Sequence, residues 1–189
     1  MVRLLPSRWL AAFGLAALAC VAQADDALWK RLQGGGHVVL IRHAVTVPGV
    51  GDPPGMQLTD CATQRNLSDA GREEAAVLGR RLRDYKVPVG EVLASPWCRT
   101  LETARIVFGR EAKPLPALGN LFGRRELEAQ QVAALRKVVE QRPARGNLFL
   151  VTHGSTTLAL TGVSPATAEM VVLAPRGDGF EVVGRLGVR

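Results

Sequence analysis

The sequence predicts an α/β fold, a three-layer α/β/α sandwich around a mainly parallel central sheet. Three observations predict it. Short runs at 38–41, 91–94 and 148–151 are rich in aliphatic residues, and the first is an unbroken aliphatic run, as in a strand buried on both faces. Amphipathic stretches of helical period lie between them. Each run also stops at polar residues of unusual chemistry, namely Arg42-His43, Ser95-Pro96-Trp97-Cys98-Arg99 and Thr152-His153-Gly154. In open α/β sheets the carboxyl ends of parallel strands form the ligand-binding edge.

In chain order, residues 25–36 form an amphipathic lead-in (Leu28, Trp29, Leu32) that ends at three glycines. Val38–Ile41 is the first strand. A loop of roughly twenty residues follows from Ala44 to Asn66, rich in Gly and Pro, and loops of that length tend to be functional. Gln64 and Arg65 belong to this loop and are expected to be solvated, with reach into the pocket as the alternative. Ser68 should cap a helix running to about Tyr85, with Ala75, Leu78, Leu82 and Tyr85 inward. The second strand covers Val87–Ala94. Ser95 as N-cap and Pro96 at the first helical position then predict a helix to about Phe108. Glu102, three residues after Arg99, is expected to orient that guanidinium. Lys113–Pro116 is a short strand. Glu126–Gln141 is a helix with Leu127, Val132, Leu135 and Val138 or Val139 inward. Pro143-Ala144-Arg145-Gly146 breaks it before the third motif strand, and a short helix begins at Ser155. Ala168–Leu173 and Phe180–Leu186 close the fold around a Gly177-Asp178-Gly179 turn.

Two His and two Arg delivered to one sheet edge suit a phosphate dianion. Guanidinium groups bind its oxygens bidentately, and a neutral imidazole can attack phosphorus. Ile41-Arg42-His43-Ala44, Ser95-Pro96-Trp97-Cys98-Arg99 with Glu102-Thr103-Ala104, and Thr152-His153-Gly154 resemble the three motifs of the histidine phosphatase superfamily, in its phosphoglycerate-mutase-like branch. Leu67-Ser68-Asp69-Ala70-Gly71-Arg72-Glu73-Glu74-Ala75 resembles that family's first helix after the nucleophile. The resemblance runs in the family's order from about His37 to Gly154. It implies that His43 is a nucleophile phosphorylated on its imidazole, and that Arg42, Arg99 and His153 hold the phosphoryl oxygens. It also implies a phosphate contact from Thr46, three residues after the nucleophile. The family's Gly after the nucleophile is Ala44 here, and its frequent Glu is Val45. Where relatives carry a Glu as proton donor, this chain has Asn120, and an amide cannot do acid catalysis. Glu126 is the expected substitute, with Glu128 and Asp52 as alternatives. No metal and no cofactor is expected, because cationic side chains supply the charge neutralisation.

The first 24 residues read as a secretory signal peptide, with Arg3 and Arg8 before an apolar run and Ala22-Gln23-Ala24 at the cleavage position, leaving a domain of residues 25–189. Lipidation of Cys20 is the alternative. Removing Arg3 and Arg8 leaves 22 basic against 17 acidic side chains, a net charge of +5. That balance favours anionic small-molecule partners outside the cytoplasm, and no aromatic-interleaved basic motif suggests nucleic acid. Cys61 and Cys98 remain in such a chain, flanking the motif elements, either bridged or as two separate buried thiols. Three functional classes follow. The first is an exported phosphomonoesterase, acting on a lipopolysaccharide-core or other small phosphorylated sugar. The second is a phosphohistidine or phosphoprotein phosphatase, and the third a non-catalytic phosphate-binding module.

Overall fold

The computed structural model describes residues 25–188, so the signal-peptide reading and Cys20 lie outside the described residues. Helix α1 occupies residues 25–33. The elements that follow are β1 (Val38–Arg42), α2 (Asp69–Asp84), β2 (Val89–Ala94), α3 (Cys98–Phe108), β3 (Lys113–Pro114), α4 (Arg125–Val139), β4 (Asn147–Thr152), α5 (Gly154–Thr161), β5 (Met170–Pro175) and β6 (Phe180–Leu186). The sheet order is β3-β2-β4-β1-β5-β6. Strands β3, β2, β4 and β1 run parallel, and the β5–β6 hairpin joins β1 antiparallel.

Side chains alternate between the two faces of each central strand, so each strand feeds two cores. Val39, Ile41, Phe149 and Val151 meet Leu32, Leu78, Leu82 and Ala104, beneath α1, α2 and α3. Val38, Leu40, Leu148 and Leu150 meet Leu135, Val139 and Leu160, beneath α4 and α5. That arrangement makes the three layers. Trp29 is fully buried and stacks on Tyr85, with ring centroids 4.4 Å apart, which anchors α1 to the end of α2. Ser68 caps α2 as its sequence suggests, its hydroxyl accepting from the Gly71 N–H. Gly71 has a packing reason as well: a Cβ there would lie 1.9 Å from the Val45 carbonyl oxygen. The first turn of α2 therefore sits directly on the chain leaving β1.

Several local expectations change. Helix α3 starts at Cys98 behind Trp97, with no side-chain cap. Ser95 is instead buried and hydrogen-bonded to a histidine, so its hydroxyl is not available to cap. The Cys98 N–H is satisfied by Gln64 Oε1 at 2.9 Å, which makes Gln64 a buried tertiary contact and not a solvated loop residue. On α4, Leu127 is exposed and the inward positions are Leu135 and Val139, with Val132 and Val138 partly buried. The long loop is tied down throughout. Thr46 bridges Leu67, residues Cys61–Thr63 form a 3-10 turn capped by Asp60, and a disulfide joins Cys61 to Cys98 across a Cα separation of 5.7 Å.

Candidate active site

The carboxyl ends of three parallel strands deliver the site. β1 ends in Arg42 and His43, β4 in His153, and β2 in Ser95, which leads to Arg99 in the first turn of α3. Parallel pairing in register, with Arg42 opposite Thr152, places these ends side by side. The two imidazole rings lie 5.4 Å apart, edge to face, and Trp97 packs its ring edge-on to His153 at 5.2 Å.

His43 is 5% exposed. Its Nδ1–H donates to the Ala44 carbonyl at 2.8 Å, which fixes the tautomer and leaves the Nε2 lone pair free. Burial, assisted by the charges of Arg99, Arg42 and Arg65 and opposed by that backbone bond, brings its pKa down to about 3. His153 is held well below the ordinary imidazole range by burial, by His43 and by the same arginines. Both rings are therefore neutral at pH 7. His153 Nε2 pairs with the Ser95 hydroxyl at 2.8 Å. With that hydroxyl donating, Nδ1 carries the proton and has no partner.

The arginines are held in different ways. Arg42 donates from NH1 to the Pro165 carbonyl at 2.8 Å and lies against the start of α5, its Nε 3.3 Å from where a Gly154 Cβ would stand. Arg99 is 1% exposed and forms a two-pronged ion pair with Asp52, NH1 to Oδ1 at 2.5 Å and NH2 to Oδ2 at 3.0 Å. Trp97 Nε1 also donates to Asp52 Oδ2, and the Arg65 N–H to Oδ1. Burial pushes the Asp52 pKa up, but the Arg99 hydrogen bonds and charge outweigh it and hold the carboxyl below its usual range.

Glu102 does not orient Arg99. It points toward α2, where it accepts from Arg72 Nε at 2.9 Å, and Asp52, from the loop, takes the position on Arg99. Glu126 and Glu128 stand exposed in the first turn of α4, with no hydrogen bond to any of these site residues. Asn120 is structural: its Oδ1 accepts from the Ser155 hydroxyl and the Phe122 N–H, tying the segment before α4 to α5. Thr46 is half-buried in the bridge to Leu67. Asp52 and Arg65 are the site residues that reasoning from sequence undervalued, and a carboxylate or arginine in a Gly/Pro-rich loop carries no periodic signal that could have marked them. Among the described residues no group of three or more His, Cys, Asp or Glu side chains is arranged to hold a metal.

Chemically, the arrangement offers one neutral imidazole nitrogen close to the charges of Arg99, Arg42 and Arg65. Buried Nε atoms of Arg42 and Arg99 lack partners, as does His153 Nδ1. Unpartnered buried donors cost free energy unless a ligand supplies acceptors.

No curated protein matches this chain significantly in sequence. Among solved structures, it is similar to a Mycobacterium tuberculosis open-reading-frame product, at 16% identity over 81% of this chain and 98% of that one, with a TM-score of 0.62. It is also similar to the protein histidine phosphatase SixA complexed with tungstate, at 18% identity over 80% and 97% of the two chains and a TM-score of 0.55. A phosphoserine phosphatase from Entamoeba histolytica aligns at 13% identity over 81% and 98%, with a TM-score of 0.55. At such identities these likenesses establish the fold. The family model of the histidine phosphatase superfamily (branch 1) matches residues 38–121, which include the His43 and Arg99 motifs, so over that segment the chain is similar to this superfamily.

Proposed function

We propose that this protein is an exported, metal-independent phosphomonoesterase that works through a phosphohistidine on His43. The observation that carries the reading is the state of His43: neutral, locked through Nδ1 with Nε2 left free, beside arginines whose Nε atoms are buried without partners. In the first step Nε2 attacks phosphorus and the ester P–O bond breaks, its electron pair leaving with the alcohol oxygen, which takes a proton from solvent. In the second, water attacks phosphorus, the P–N bond breaks and the imidazole returns neutral, one proton of that water staying on phosphate and the other passing to solvent. Arg42, Arg99 and His153 offset the charge on the equatorial oxygens in both steps. The net charge of +5 after loss of residues 1–24 suits anionic substrates such as small phosphorylated sugars.

One observation supports a second reading. Asp52, the carboxylate in hydrogen-bond contact with Arg99, is held ionised, and Glu126 is exposed away from those contacts. A site without a protonated carboxyl at the leaving oxygen favours leaving groups that need no strong acid, such as phosphohistidine or acyl phosphates. Turnover of p-nitrophenyl phosphate by the mature protein, with and without His43→Ala, tests the main reading. The variant should lose on the order of a million-fold in rate and fail to trap radiolabelled phosphate. EDTA should leave wild-type turnover unchanged. Near-normal turnover by His43→Ala, or activity lost in chelator and restored by a divalent metal, overturns the mechanism.

A further inference from the structure

We propose that Arg65 is a third arginine of the phosphoryl site, its Nε–H donating to a non-bridging oxygen of the transferred group. The inference rests on the phosphatase reading above and adds to it a substrate contact made from the long loop.

Arg65 is fixed before any substrate arrives. Its NH1 donates to the Gly49 carbonyl at 2.6 Å, its backbone N–H reaches Asp52 Oδ1 at 3.2 Å, and its own carbonyl accepts from Arg99 NH1 at 3.4 Å. Those contacts set the guanidinium beside Arg99. Its Nε is buried and has no partner. Among the described residues, six buried side-chain polar atoms lack a partner, and four of them belong to Arg42, Arg65, Arg99 and His153. Three of these four already line the nucleophile's site. A shared deficit of acceptors, concentrated in one place, is what an absent oxyanion leaves behind.

Electrostatics places the guanidinium at the same site. Burial and the neighbouring Arg99 and Arg42 push the Arg65 pKa down, with Asp52 opposing. In turn, Arg65 is among the charges that depress both His43 and His153. Charge balance agrees as well. Arg42, Arg65 and Arg99 against one Asp52 carboxylate, with both imidazoles neutral, give the pocket two net positive charges. A phosphomonoester dianion cancels them. Without Arg65 the pocket would carry one, which suits a monoanion.

The test uses the full mature protein and Arg65→Gln and Arg65→Lys variants. Three quantities are read: kcat/KM for p-nitrophenyl phosphate, the inhibition constant for orthovanadate, and the calorimetric Kd for inorganic phosphate. Arg65→Gln should lower kcat/KM by roughly 10²-fold and weaken both oxyanions by about tenfold or more, with Arg65→Lys intermediate. Phosphate and vanadate carry no leaving group, so their weakening reports the oxygen contact and not substrate shape. Guanidinium ion in the assay should restore part of the Arg65→Gln activity. Vanadate and phosphate constants within threefold of wild type in a folded variant overturn the assignment, and Arg65→Lys decides it if Arg65→Gln does not fold. Wild type that binds phosphate but hydrolyses nothing would refute the catalytic reading alone, because the phosphate Kd still reads Arg65. Wild type that binds no phosphate would refute both.

Discussion

Acid should destabilise this protein earlier than its carboxylates alone would require, and His43 is the cause. Its folded pKa is about 3, against an ordinary value of 6.5. Between those values the unfolded chain binds a proton at His43 and the folded chain does not. The unfolded state thus gains protons as pH falls, so stability present above about pH 6.5 is lost progressively toward pH 3. At pH 5 the loss from this one side chain is about 2 kcal/mol, from 1.36 kcal/mol per pH unit over about one and a half units. For a domain of this size that corresponds to a fall in Tm of about 4–8 °C. His153 shifts in the same direction, as does half-buried His37, whose burial outweighs its backbone hydrogen bond. These are the three histidines of the chain, and few other side chains titrate between pH 5 and 6.5. The assay is calorimetric Tm from pH 7.5 to 5 for wild type and His43→Asn, whose amide can keep the Ala44 contact. The variant should show a visibly flatter slope. Equal slopes in wild type and variant would mean that His43 is not held neutral, and the account of its nucleophilicity would fall with it.

Two further outcomes follow from the loop. Asp52→Asn strips the carboxylate from a guanidinium that is 1% exposed, so urea unfolding should show a loss of about 3 kcal/mol, partly recovered in saturating phosphate; a loss under about 0.5 kcal/mol would show that the pair carries little stability. Reducing Cys61–Cys98 opens a loop of 37 residues, worth about 3–4 kcal/mol in the chain-entropy account, and should lower both Tm and turnover. Unchanged turnover in the reduced, folded protein would show that the bridge does not position Arg99.

The strands were legible because β1 and β4 are buried on both faces, and unbroken aliphatic runs announce that environment. The residues that close those runs were legible through their chemistry. Ser95 misled because two partners compete for one hydroxyl, and the buried His153 ring takes it from the helix terminus. Glu102 misled because spacing along a helix says which residues share a side, not which neighbouring element lies there; α2 offers Arg72. Asp52, Gln64 and Arg65 were hidden for a different reason. Their partners Arg99 and Cys98 lie 34 to 47 residues away, joined by an irregular loop whose pairing follows no period.

The site thereby divides into two parts with different supports. Arg42, His43 and His153 are held by Pro165, Ala44 and Ser95, contacts that do not involve the loop beyond its first residue. The proposed nucleophile, His43, and its neutral neighbour His153 therefore belong to the sheet. Arg99 is different: its fork is filled by Asp52, and the first N–H of its helix is held by Gln64 beside the Cys61–Cys98 bridge. Arg65 reaches the same region from the same loop. With both prongs of Arg99 on Asp52, the proposed mechanism has a phosphoryl group meet Arg99 through Nε, alongside the Nε of Arg42 and Arg65 and the Nδ1 of His153, all of them buried without partners. Asp52 thus orients a cation, and its ionised state disqualifies it as the acid for the leaving oxygen while that pair holds. In the proposed mechanism the chemistry of attack is set by strand ends, whereas residues 44–66 orient Arg99 through Asp52 and place Arg65. Changes at Asp52 or Arg65 in that segment should therefore weaken the hold on phosphoryl oxygens while leaving the Nδ1 contact of His43 to Ala44 in place.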